Sequence, residues 1–75
     1  MRRTIRAGDQ ARVVARTAQG VELESPTRLR PGQSIDVAFE DDGAPSELRP
    51  ASVVTWTVVR LGKDGPVYRG VCQWQ

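Results

Sequence analysis

Apolar and polar residues alternate in short runs along this chain. In GVELESPTRLRPGQSIDVAF, from Gly20 to Phe39, Val21 and Leu23 alternate with Glu22 and Glu24. Further on, Ile35, Val37 and Phe39 alternate with Asp36 and Ala38. Period two sends successive side chains to opposite faces of a strand, so each run predicts a strand with one buried face. Ser25-Pro26 breaks the first run, and Pro31-Gly32 predicts a turn, because proline presets its own φ and glycine tolerates a positive one. Leu29 is expected as an apolar plug beneath the connecting loop.

The flanking segments follow the same rule. Thr4, Ile5 and Arg6 are compatible with a short strand, Gly8-Asp9 with a turn, and Ala11 to Thr17 (ARVVART) with a second strand. Ala18-Gln19-Gly20 reads as a bulge or tight bend. Asp41 to Pro50 (DDGAPSELRP) is polar and rich in turn formers, and is expected as a hairpin connection. Ala51 to Leu61 (ASVVTWTVVRL) is the most β-prone run. Its two faces are both apolar, so it is either a central strand or one that switches faces. Gly62 to Pro66 is a turn cluster. In the final run, Val67 to Trp74, Tyr68, Gly70, Cys72 and Trp74 share one face, while Arg69, Val71 and Gln73 share the other. No helix of useful length is predicted. Short strands separated by Gly/Pro turns give an all-β expectation: a small antiparallel β-barrel of about six short strands, closed or nearly so.

Composition narrows the chemistry. Seventy-five residues make one small domain with little stability in reserve. Without histidine, and with Cys72 as the lone cysteine, internal disulfides and nearly all zinc, copper and haem chemistry are excluded. A Ser/His or Cys/His catalytic pair is ruled out as well, so the chain is expected to be a binding module, not an enzyme, with no cofactor and no metal. No apolar run is long enough to span a bilayer, and none follows the charged N-terminus, so a cytoplasmic protein without membrane insertion is expected.

Formal net charge is +2, but the layout is uneven: Arg2, Arg3, Arg6, Arg12 and Arg16 precede Glu22 with only Asp9 as counter-charge. Lys63 is the sole lysine, and arginine forks onto phosphates and guanine edges as lysine cannot.

The order Gly20-Val21, Leu29, Pro31-Gly32, Ile35-Asp36-Val37, Ala51-Ser52-Val53-Val54-Thr55-Trp56 and Gly70-Val71-Cys72-Gln73-Trp74 resembles the PilZ domain, a six-stranded barrel that typically senses cyclic di-GMP. The resemblance implies an arginine-rich arm over residues 1–10 and a barrel over 11–75. It implies a ligand signature in two parts. The first, R-x-x-x-R, is matched by Arg2-Arg3-Thr4-Ile5-Arg6. The second, D/N-x-S-x-x-G, falls on Ala15-Arg16-Thr17-Ala18-Gln19-Gly20, where Ala15 lacks the polar group that accepts from a guanine edge. Loss of such a buried partner costs about 1–3 kcal/mol. The spacing between the two parts is also shorter than in the family. The ligand-binding expectation is therefore Arg2, Arg3, Arg6, Arg16, Thr17 and Gly20, with cyclic di-GMP as ligand and a protein partner as output.

Simpler readings stand beside these. The arginines of the arm fit a solvated terminus. Arg12 and Arg16 fit the wet face of one strand, and Thr17 and Gly20 fit a backbone bend. Trp56 and Trp74 fit the core, Tyr68 a rim, and Cys72 a small buried hydrophobe. Glu40, Asp41 and Asp42 fit a solvated acidic turn. The alternative function is a degenerate barrel that binds no cyclic di-GMP and serves as a protein-interaction adaptor. A single-stranded nucleic-acid binder is a third reading, disfavoured by the modest charge and the acidic 40–47 segment.

Overall fold

The computed structural model describes residues 3–8, 11–39 and 47–75. Arg2, Asp9, Glu40, Asp41 and Asp42 lie outside those residues. The described chain is all-β, with seven strands: β1 (Arg3–Ala7), β2 (Arg12–Arg16), β3 (Gly20–Ser25), β4 (Ser34–Phe39), β5 (Glu47–Val53), β6 (Thr57–Gly62) and β7 (Gly65–Trp74). They form one curled sheet in the order β1-β4-β5-β7-β3-β2, with β6 also paired to β7. The two ends of that order are consecutive in the chain and adjoin at an isolated bridge between Ala7 and Ala11. The small β-barrel expectation therefore stands, with two differences. The described residues form seven strands instead of about six, and β1 pairs with β4 in parallel, Ile5 opposite Val37, while every other strand pair among them is antiparallel.

The core is the inner face that the alternation predicts. Val21, Leu23, Ile35, Val37, Ala51, Val53 and Cys72 are buried across β3, β4, β5 and β7. Residues 3–7, expected as part of an arm, are a strand of this sheet, and Ile5 (1% exposed) and Ala7 belong to the core. Trp56 is buried and its indole N–H donates to the Thr27 carbonyl at 3.0 Å. Leu29 is buried as the plug of the 26–33 loop. The turn there is proline-led as expected: Gln33 N–H donates to the Arg30 carbonyl, and Gly32 sits at φ 88°.

The Ala51–Leu61 run switches, as one of its two readings held. Val54 and Thr55 both donate backbone N–H to the Val71 carbonyl, and the Thr55 hydroxyl accepts from Val71 N–H. That local substitution breaks the ladder, so β5 ends at Val53 and β6 begins at Thr57. The polar segment expected to be wholly a connection ends earlier than Pro50, because residues 47–50 already pair with β4. Pro50 is tolerated inside the sheet because its backbone faces the very end of β7, where only its carbonyl is required, accepting from Gln75 N–H.

Candidate functional site

Paired residues of neighbouring strands share a face. On the outer face, Arg12 of β2, Glu24 of β3, Arg69 of β7 and Thr57 of β6 lie directly opposite one another in one row across four strands. Glu24 is only 4% exposed although it points outward. Three guanidinium groups cover it. Its Oε2 accepts from Arg69 Nη2 at 2.9 Å and from Arg12 Nη2 at 3.3 Å, and its Oε1 is paired with Arg60 of β6. Arg69 also donates Nε–H to Oε2. Bonds from Arg69 and then Arg60 outweigh the opposing effect of burial, and with Arg12 they lower the Glu24 carboxyl from its ordinary 4.5 to about 2. Glu24 is therefore ionised throughout the neutral range. One negative charge meets three positive ones, and the cluster keeps a net charge of about +2.

A cavity of about 320 Å³ opens beside this row, lined by Arg12, Glu24, Ser25, Arg60 and the Gly62–Gly65 turn with Lys63 and Asp64. A second groove of about 230 Å³ lies further along the outer face, lined by Ala15, Thr17, Gly20, Glu22, Val71 and Gln73 among others. The sheet is tight there. A Cβ at Gly20 would overlap the Cys72 carbonyl of the adjoining strand, which is why glycine stands at the start of β3.

At the inner-face mouth, two arginines stack on two aromatic rings. The Arg16 guanidinium lies 3.9 Å from the Phe39 ring centroid, and that of Arg49 lies 4.3 Å from Trp74. Phe39 and Trp74 meet edge to face at 5.8 Å between centroids. This arrangement packs cation and ring together and closes the mouth over the core.

The residues expected to bind cyclic di-GMP are dispersed among these features. Arg3 pairs with Ile35 at one end of β4, while Phe39, where Arg16 stacks, is at the other end, about 13 Å of strand away. Arg6 is exposed and pairs with Ala38, one register position from the inward Ala7. Arg2 lies outside the described residues. The register slips between Val13 and Ala15, so Arg12 shares a face with Glu24 and Arg16 shares one with Val21. A bulge adds one residue to one strand and flips the parity beyond it. The two arginines are thus on opposite faces and not, as expected, on one. Thr17 and Gly20 come together in the β2–β3 bend: the Thr17 hydroxyl accepts from Gln19 and Gly20 N–H, and Thr17 N–H donates to the Gly20 carbonyl. Cys72 is buried, and its thiol is raised from 9.0 to about 11 by burial.

Sequence reasoning missed Glu24, Arg60 and Arg69 as a group. Glu24 reads as the wet half of an alternating strand, and its partners are 12, 36 and 45 residues away in the chain, which no local pattern encodes. Among the described residues there is no metal-holding cluster of His, Cys, Asp and Glu, and no helix long and apolar enough to cross a membrane. No protein-family model, curated protein or solved structure matches this chain.

Proposed function

We propose that this chain is a PilZ-like regulatory barrel that acts by contact with a protein partner and does not sense cyclic di-GMP. The observation that carries the reading is the place of residues 3–7. An arm that closes over a ligand must be able to leave the body of the domain, whereas here Ile5 and Ala7 are core residues and the backbone is laddered to β4. Releasing them would expose apolar surface at roughly 25 cal/mol per Å² and break a strand pair. Arg3, Arg6 and Arg16 do not converge, and Ala15 offers no acceptor.

The partner surface that fits is β6. It pairs only with β7 among the described strands, and its Val58, Val59 and Leu61 (82% exposed) are turned to solvent. Arg60 and Lys63 lie on or beside it, and the stretch 57–63 carries no acid. An extended segment with apolar and acidic residues, adding as a further strand, matches that edge in backbone, hydrophobicity and charge.

One observation favours cyclic di-GMP sensing as the second reading. The groove of about 230 Å³ is lined by Ala15, Thr17 and Gly20, the residues that align with the second part of the signature. Calorimetry with cyclic di-GMP separates the two readings. No heat of binding is expected; saturable binding that disappears in Arg2→Ala/Arg6→Ala would replace the first reading by the second.

A further inference from the structure

We infer that Arg12, Arg60 and Arg69, held together by Glu24, form a binding site for a phosphate group. The inference concerns the outer face and goes beyond the protein contact proposed above.

Three guanidinium groups brought to one place repel one another, and each carries five N–H donors. A single carboxylate with all three as partners removes part of that repulsion and holds Arg69 by two nitrogens and Arg12 and Arg60 by one each. It does not use up their donors: Glu24 takes two N–H groups from Arg69 and one from Arg12, and pairs with one nitrogen of Arg60. The side chains of Arg12, Arg60 and Arg69 are 63%, 59% and 40% exposed, so the remaining donors face solvent. One arginine already balances the charge of one carboxylate, so two of the three positive charges are left over. The arrangement here is a preformed fork of three, and fixing such side chains in advance removes much of the ordering cost of capturing an anion.

The charge count selects the ligand class. Arg12, Arg60 and Lys63 line the cavity of about 320 Å³ together with Glu24 and Asp64, and Arg69, outside that lining, joins the cluster through its pair with Glu24, making four positive charges against two. The excess of two matches a phosphate monoester, which carries about two negative charges and three terminal oxygens at neutral pH. A carboxylate has one charge and two oxygens and fits less well. Guanidinium forks bond phosphate oxygens in pairs, which a lone lysine cannot do. The cavity is of the size that small-molecule sites have.

The test is a titration of the arginine side-chain Nε–H signals by NMR, with inorganic phosphate against sodium chloride at matched ionic strength. Saturable shifts confined to Arg12, Arg60 and Arg69 are expected, with acetate weaker. Arg60→Gln and Arg12→Gln should each weaken phosphate binding roughly tenfold. Non-saturating shifts, shifts equally produced by chloride, or saturation centred elsewhere would overturn the inference from the parent protein alone, even if a variant failed to fold. Unchanged affinity in both folded variants would overturn it as well. The source of the phosphate is read in a parallel arm: co-sedimentation with phosphatidylcholine vesicles containing phosphatidic acid assigns it to a lipid headgroup. Binding of glycerol phosphate without co-sedimentation assigns it to a soluble ester.

Discussion

Gly70 of β7 lies so close beneath the carbonyl oxygen of Thr55 that a Cβ at Gly70 would overlap it, and would overlap the Trp56 ring as well. The segment that crosses from β5 to β6 is pressed onto β7 at this one position. Crowding by backbone cannot relax as a flexible side chain can. Gly70→Ala should therefore destabilise the fold by about 1–3 kcal/mol, which for a domain of this size lowers Tm by roughly 4–8 °C per kcal/mol. Thermal and urea unfolding measure it. An unchanged Tm would show that the crossing is loose.

Arg16 and Phe39 should be energetically coupled, and so should Arg49 and Trp74. Cation–ring stacking at an exposed site contributes about 0.5–1 kcal/mol. Double-mutant cycles with Arg16→Gln and Phe39→Leu, read by chemical denaturation, should return a coupling of that order. Additive effects would reduce the Arg16 contact to coincidence.

The pH dependence of stability should bear the mark of Glu24. Its carboxyl is depressed from 4.5 to about 2 in the folded protein, chiefly by Arg69 and Arg60. A depressed acid stabilises the fold above its unfolded value and loses that contribution as pH falls through the folded one. The parent should lose stability between pH 4.5 and 2, and Glu24→Gln, already less stable at neutral pH, should be flatter over that window. Parallel curves for parent and variant would place the acid sensitivity elsewhere.

Cys72 should be silent towards thiol reagents in the native state. Burial raises its thiol to about 11, so neither access nor thiolate is present near neutral pH. Labelling should follow the unfolding rate as denaturant is added. Because the folded value lies above the ordinary 9.0, the unfolded chain loses its proton first, and stability should decline from pH 9 towards 11. Rapid labelling in buffer would contradict the buried position.

The strands with one apolar face were legible in the chain. Val21 and Leu23, Ile35 and Val37, and Gly70 and Cys72 turned inward as their alternation required, since period two is a property of the extended backbone itself. Pro31-Gly32 gave its turn for an equally local reason, the φ that each ring or missing Cβ allows. Burial of Leu29, Trp56 and Cys72 followed from hydrophobicity alone.

What the tertiary structure alone decided is which strand lies beside which, and hence which charges meet. The parallel pairing of Arg3–Ala7 with β4 made core of a stretch that reads as a charged tail, because Ile5 and Ala7 found an apolar wall there. The bulge between Val13 and Ala15 sent Arg12 outward and Arg16 inward, a change of parity invisible to a count of two. Glu24 became buried only because β2, β6 and β7 each brought an arginine to it from far along the chain. Alternation is encoded residue by residue, but register and neighbour are fixed by the closing of the whole sheet. The charged cluster was therefore decided by contacts that no segment carries on its own.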